Sequence, residues 1–252
     1  MHRVEVCFSP ADFHLYEQDF ECVVVIDVLR ATSAICAALA HGVDQILPVG
    51  SVEEARTWQA RGVFAAAERD GMVVDGFELG NSPLGFIARK DALVGKPVVL
   101  TTTNGTKAIR MAEHKRTVVI GSLLNLSALC NFLVEKDEPV LILGAGWKDK
   151  FNLEDTICGG AIVDRLLETG RFKTEEDSSV AAKFIYRSAR DNMFAFLRAS
   201  SHRRRLRKLN LNADVKYCLT PDQLDVIPVL RNGAVVKFGA DGPGALPLST
   251  AH

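Results

Sequence analysis

The chain has 252 residues, 48% hydrophobic and 24% charged, with a formal net charge of -1 at pH 7. Such a composition supports a large globular core, as one large α/β domain or two small ones. It excludes a global basic field of the kind that holds nucleic acid or an anionic membrane, so an anionic ligand must be met by local cations or backbone donors.

In chain order, short β-branched runs at residues 4–8, 22–27, 45–49, 63–67, 97–101, 117–120 and 139–143 predict strands. Residues 23–26 and 140–143 are apolar throughout, as strands covered on both faces must be. Between them, helical patterns run over residues 31–41, 52–61, 83–90, 107–113, 126–136 and 154–169. The alternation predicts an α/β sheet between helices, largely parallel with some antiparallel members. After Gly170 the pattern changes. Residues 171–179 read as a loop, and 181–209 as helix broken near Ser200 and Ser201. The basic run 202–208 reads as a solvated helix face, with oligomer contacts or attraction of an anion as the alternative. Residues 215–219 to 226–229 fit short strands or a packed extension, and 239–252 are expected to be poorly ordered. The expectation is a single domain over 1–252 with a helical C-terminal elaboration.

No apolar run approaches the roughly 20 residues that span a bilayer, and the first ten residues lack the regions of a signal peptide. Cys7, Cys22, Cys36, Cys130, Cys158 and Cys218 lie scattered without a C-x-x-C pair, as buried thiols in a reducing cytosol would. A cytoplasmic location is expected, with neither nucleic acid nor membrane as a partner. Homo-oligomerisation stays open, since no interface is legible.

In layered α/β proteins the ligand sits beyond the carboxyl ends of parallel strands, and four polar segments fall there. Asp27-Val28-Leu29-Arg30-Ala31-Thr32-Ser33 offers a carboxylate for a hard cation, a guanidinium for phosphate and two hydroxyls at a helix start. A plain helix cap is the competing explanation. Glu68-Arg69-Asp70-Gly71 again pairs an acid with an arginine, or is only a solvated turn with an exposed ion pair. Thr101-Thr102-Thr103-Asn104-Gly105-Thr106-Lys107 reads as an anion cradle, although it is not a Walker A loop. Gly144-Ala145-Gly146-Trp147, followed by Asn152-Leu153-Glu154-Asp155, offers either further metal ligands or acidic residues suited to a helix N-terminus. Its two glycines lack the third that a dinucleotide site needs. Asn81, between Gly80 and Ser82-Pro83, marks a helix start and offers a hydrogen bond to substrate.

Taken together, these segments resemble the 2-phosphosulfolactate phosphatase (ComB) family. The matching stretches are residues 27–33, 80–83, 101–106, 121–125 and 151–156, in the expected order, with a weaker match at 218–228. The resemblance implies a three-layer α/β/α fold. It also implies Mg²⁺-dependent hydrolysis of 2-phosphosulfolactate, a small anionic phosphate ester, to sulfolactate and phosphate, which in the family serves coenzyme M biosynthesis.

On physical grounds, the expected metal ligands are Asp27 with Glu68, Glu154 or Asp155. Arg30, Thr32, Ser33, Arg69, Asn81, Thr102, Thr103, Asn104, Gly105 and Thr106 are expected to hold substrate, with Asp27, Arg30 and Glu68 as catalytic groups. The attacking group is a water assisted by a carboxylate, or Asp27 itself. No C-x₅-R thiolate signature, aspartate pair spaced D-x-D at Asp27, or R-H-G motif points to another phosphatase chemistry. A non-catalytic sensor of a phosphorylated or sulfonated metabolite would use the same cradle. A phosphotransferase would need an acceptor pocket that nothing in the sequence identifies.

Overall fold

The structure is a computed structural model and describes residues 1–240, so the expectation for the tail lies, from residue 241, outside the described residues. β1 (His2–Cys7) leads through two 3-10 turns into β2 (Cys22–Ile26). Then follow α1 (Ala31–Ala40), β3 (Gln45–Pro48), α2 (Val52–Ala60), β4 (Phe64–Arg69) and β5 (Met72–Val73). Next come α3 (Pro83–Ala88), α4 (Lys90–Leu93), β6 (Pro97–Thr101), α5 (Gly105–Met111), β7 (Thr117–Gly121), α6 (Leu126–Lys136) and β8 (Val140–Gly144). α7 (Leu153–Glu168), β9 (Phe172–Lys173), α8 (Asp177–Ala189), α9 (Met193–Phe196), α10 (Ser201–Lys208) and α11 (Asn212–Cys218) precede a hairpin of β10 (Pro228–Arg231) and β11 (Ala234–Lys237).

The predicted strands and helices up to residue 169 form at their expected places, because their apolar periods match the layers that cover them. Val23 and Val25 of β2 face α1, α3 and α5, while Cys22, Val24 and Ile26 face α6 to α11. On that second face α2 buries Ala55 against Leu47, Ala65 and Val99 at the other end of the sheet. A strand covered on both sides has no use for polar alternation. The result is a three-layer α/β/α arrangement. All six cysteines are free and buried.

The sheet runs β5-β4-β6-β3-β11-β10-β7-β2-β8-β1-β9. Neighbours are parallel within β4-β6-β3 and within β7-β2-β8-β1-β9. The C-terminal hairpin sits between the two sets, antiparallel to β3 on one side and to β7 on the other. Three antiparallel junctions reverse the sense, so the two parallel sets run oppositely. In a flat sheet their carboxyl ends would lie at opposite edges. Each junction also rotates the strands by roughly 20–25°, and the loop after β6 does meet the loop after β2. A Cβ added to Gly105 would stand 2.4 Å from Ala31 Cβ and 2.8 Å from Asp27 Oδ2.

The C-terminal third departs from expectation. Residues 215–218 belong to helix α11, not to a strand, and the strands begin only at Pro228. The Asn232-Gly233 dipeptide, with φ of 51° and 79°, makes the hairpin turn. The expected loop 171–179 contains the short edge strand β9 and the start of α8. The long helix breaks at Ser200, as predicted, and also at Asn192. Both side chains cap the helix that follows, accepting from Arg203 N and Ala195 N respectively.

Candidate active site

The ends of β2, β4, β6 and β8 meet around a narrow cleft lined by Asp27, Arg30, Glu68, Gly71, Asn81, Thr103, Asn104, Trp147, His202 and Leu206. Asp27, Arg30 and the triple-threonine turn, distant in sequence, therefore share one site. Asp27 directly follows the buried strand β2, and the residue is 7% exposed. Its Oδ1 accepts only a long bond, 3.4 Å, from Ala31 N. Burial and then the Asp155 carboxylate raise its pKa, while nearby His202 opposes the rise.

Arg30 is anchored at both ends of its fork. Nη1 donates to Asp214 Oδ2 at 2.6 Å and Nη2 to the Gly71 carbonyl at 2.8 Å. Asp214 also accepts from Ser82 Oγ at 2.8 Å, tying α11 to the start of α3. Charge-assisted pairs of this kind fix geometry as well as adding energy.

Glu68 accepts four hydrogen bonds, from Gly71 N, Thr103 Oγ1, Thr103 N and Asn81 Nδ2. An ionised carboxylate has about four acceptor positions, so Glu68 is a clamp joining the β4–β5 turn, Asn81 and the threonine turn. Asp155 accepts from Val28 N at 2.9 Å, Gly146 N at 3.2 Å and Asn152 Nδ2 at 2.7 Å, stitching the end of β2 to that of β8. Burial and the Glu154 charge raise its pKa as well. Glu154 is 1% exposed and faces His202, with Oε1 2.5 Å from Nδ1.

The four carboxylates expected as metal ligands differ in how they are bonded. Glu68, Glu154 and Asp155 are engaged by protein donors, and among the described residues no three His, Cys, Asp or Glu side chains form a group that could hold a metal. Asp27 alone of the four keeps most of its acceptor capacity. Across the same cleft, Asn81 Oδ1 is buried without a hydrogen-bond partner among the described residues. Two oxygen acceptors without matching donors suit a hard cation such as Mg²⁺, which takes one or two carboxylates and completes its shell with phosphate and water.

The expected substrate residues divide. Arg30, Asn81, Thr103 and Asn104 line the cleft. Thr32 and Ser33 do not: both are fully buried, Thr32 Oγ1 accepting from Asp27 N and Ser33 Oγ donating to the Val28 carbonyl. Both hydroxyls bond the backbone just before α1, and the helix start at Arg30 carries no side-chain cap. Arg69, Thr102 and Thr106 line a separate cavity of about 550 Å³ with Lys107 and Arg110, touching the cleft only through Thr103. Thr102 and Thr106 bond each other's backbone there. Arg69 donates to the Glu68 carbonyl and to Thr101 Oγ1. Gly105 gives no side chain, but its missing Cβ lets the turn lie against Asp27.

Sequence reasoning passed over Asp214 and took His202 and Arg205 only as members of a basic run. The basic run is not simply a solvated face: His202, Arg203 and Leu206 are buried, while Arg204, Arg207 and Lys208 are exposed. The signal was Leu206, the one apolar residue within the run, whose partners three and four positions back must share its face. No comparable signal marks Asp214.

The profile of the 2-phosphosulpholactate phosphatase family matches residues 7–233. This chain belongs to that family. It is therefore a phosphatase, a phosphoric monoester hydrolase, and the resemblance read from the motifs is borne out. A protein of Caldanaerobacter subterraneus subsp. tengcongensis named probable 2-phosphosulfolactate phosphatase is 37% identical over 217 residues, 84% of this chain and 89% of its own. Proteins of the same name from Cyanothece sp. and Nostoc punctiforme are 37% and 36% identical, each covering 86% of this chain and 91% of theirs. No described helix is long and apolar enough to cross a membrane.

Proposed function

We propose that the chain hydrolyses 2-phosphosulfolactate to sulfolactate and inorganic phosphate with the help of Mg²⁺. The observation that carries this reading is the placement of a buried, nearly unpartnered carboxylate, Asp27, in one cleft with Arg30 and a Glu154–His202 pair. Asp27 and Asn81 Oδ1 would hold the ion, which when bound neutralises phosphate charge. Arg30, fixed by Asp214 and Gly71, presents its remaining surface to the phosphate. Glu68 keeps Thr103 and Asn81 at the rim. With Nδ1 engaged by Glu154, the His202 nitrogen left for a ligand is Nε2. An alkyl phosphate releases a strongly basic alkoxide, and a proton delivered there lowers the barrier. His202 is in place to deliver it, and Glu154, bonded to Nδ1, orients the ring so that Nε2 is the nitrogen left for the leaving group.

The test is phosphate release from a panel of monoesters, with and without Mg²⁺, by the native chain and by Asp27→Asn. Release from 2-phosphosulfolactate that needs Mg²⁺ and disappears in the variant is the expected result. Near-normal turnover by a folded Asp27→Asn protein refutes the role of that carboxylate.

A further inference from the structure

The cleft is rich in carboxyl groups before any ligand arrives. Asp27 and Glu68 line it and Glu154, Asp155 and Asp214 stand behind it, against Arg30 and His202. Arg30 is already held by Asp214 and Gly71. A substrate that carries an acid group besides its phosphate adds negative charge, which a low-dielectric cleft tolerates only beside a cation.

Arg205 is a cation with donors to give. Its Nε and Nη2 are buried and have no hydrogen-bond partner among the described residues. It stands on α10 between His202 and Leu206, which both line the cleft. Its guanidinium sits over the ring of Trp147, another lining residue, with Cζ 3.9 Å from the ring centroid. That cation–π contact favours keeping the fork beside the cleft. Other cations nearby have acceptors: Arg69 on Thr101 and the Glu68 carbonyl, Lys107 on Asp149, Lys148 beside Asp70.

The cleft is also small. It encloses about 10 Å³, room for about one water. Leu206 and Leu209 reach within 3.4 and 2.9 Å of where a Cβ on Gly71 would stand. A phosphate ester is larger than this space, so holding one requires α10 and the turn after β4 to sit further apart.

We propose that Arg205 is a specificity-determining residue of this site, receiving the sulfonate or carboxylate that the substrate carries besides its phosphate. This rests on the phosphatase reading above. Calorimetric titration of the full chain with sulfolactate, with 2-hydroxyethanesulfonate and with lactate tests it, inorganic phosphate with Mg²⁺ serving as the control. Arg205→Gln is expected to weaken sulfolactate binding by about tenfold or more and Arg205→Lys by less, because lysine loses the bidentate fork but keeps the charge. Phosphate binding and the thermal melt stay near native. Parallel loss of the sulfonate-only or the carboxylate-only ligand identifies the group held. Unchanged sulfolactate binding in Arg205→Gln, equal loss of sulfolactate and phosphate, or no sulfolactate binding by the native chain overturns the proposal. If binding behaves as expected but the native chain releases no phosphate from 2-phosphosulfolactate, the catalytic reading falls while the anchoring role stands.

Discussion

Burial raises the pKa of Asp27 from 3.8 to about 8, with the Asp155 charge adding to the rise. In the metal-free protein the folded state keeps that proton through the interval in which the unfolded chain has released it. Stability therefore falls as pH rises from about 4 towards 8. Asp27→Asn removes this cost. In EDTA at pH 8 the variant should melt above the native protein, by roughly 2–4 °C for each kcal/mol recovered, while its turnover is lost. A scan showing the variant less stable than native at pH 8 would contradict the origin assigned to the shift. At His202 the expectation concerns the leaving group. His202→Gln should lower kcat on 2-phosphosulfolactate by about 10²–10³ and that on p-nitrophenyl phosphate, whose phenolate needs little protonation, by less than about tenfold. Equal losses on both substrates would assign the residue to structure alone. Asp27 and Arg30 were legible because a charged pair directly after a fully apolar strand has few structural uses. Thr32 and Ser33 were not separable from them by type. Only the direction of their hydroxyls, back onto Asp27 N and the Val28 carbonyl, distinguishes a structural hydroxyl from a ligand.

Among the elements, the threonine turn and α10 show how local structure sets the site. The turn lies against Asp27 because residue 105 has no Cβ. Gly105→Ala would force two backbones apart, so a destabilisation of about 1–3 kcal/mol and a large loss of turnover are expected, measured by urea unfolding and phosphate release. An active, native-like Gly105→Ala protein would show that the turn tolerates displacement. The basic run in α10 illustrates a limit of composition. Its charges suggest solvent, yet His202 and Arg203 pack inward with Leu206, Arg203 stacking over Phe194 at 3.7 Å. Long basic side chains bury their apolar stems readily, so charge density alone does not tell which face is wet.

At the scale of the molecule, the C-terminal hairpin is the piece that joins the two halves of the sheet, pairing with β3 and β7. A chain ending at Ile227 would leave those two strands as open central edges, with Val235 and Val229 missing from the core. It should not fold cooperatively, and a sharp native-like thermal transition in that fragment would contradict the placement. The hairpin's Asn232-Gly233 turn was readable in the sequence and was passed over. Its insertion between strands far back in the chain was not readable, because strand order is set by which edges remain unpaired after the rest has packed. By itself the sequence determined the α/β layering, the buried strands and the loops that carry chemistry, since period and turn residues are local properties. Only the tertiary structure decided which of those loops share a cleft, which carboxylates are occupied by backbone donors, and that α10 covers the site. Those outcomes depend on contacts between residues as far apart as Arg30 and Asp214, for which no local pattern exists.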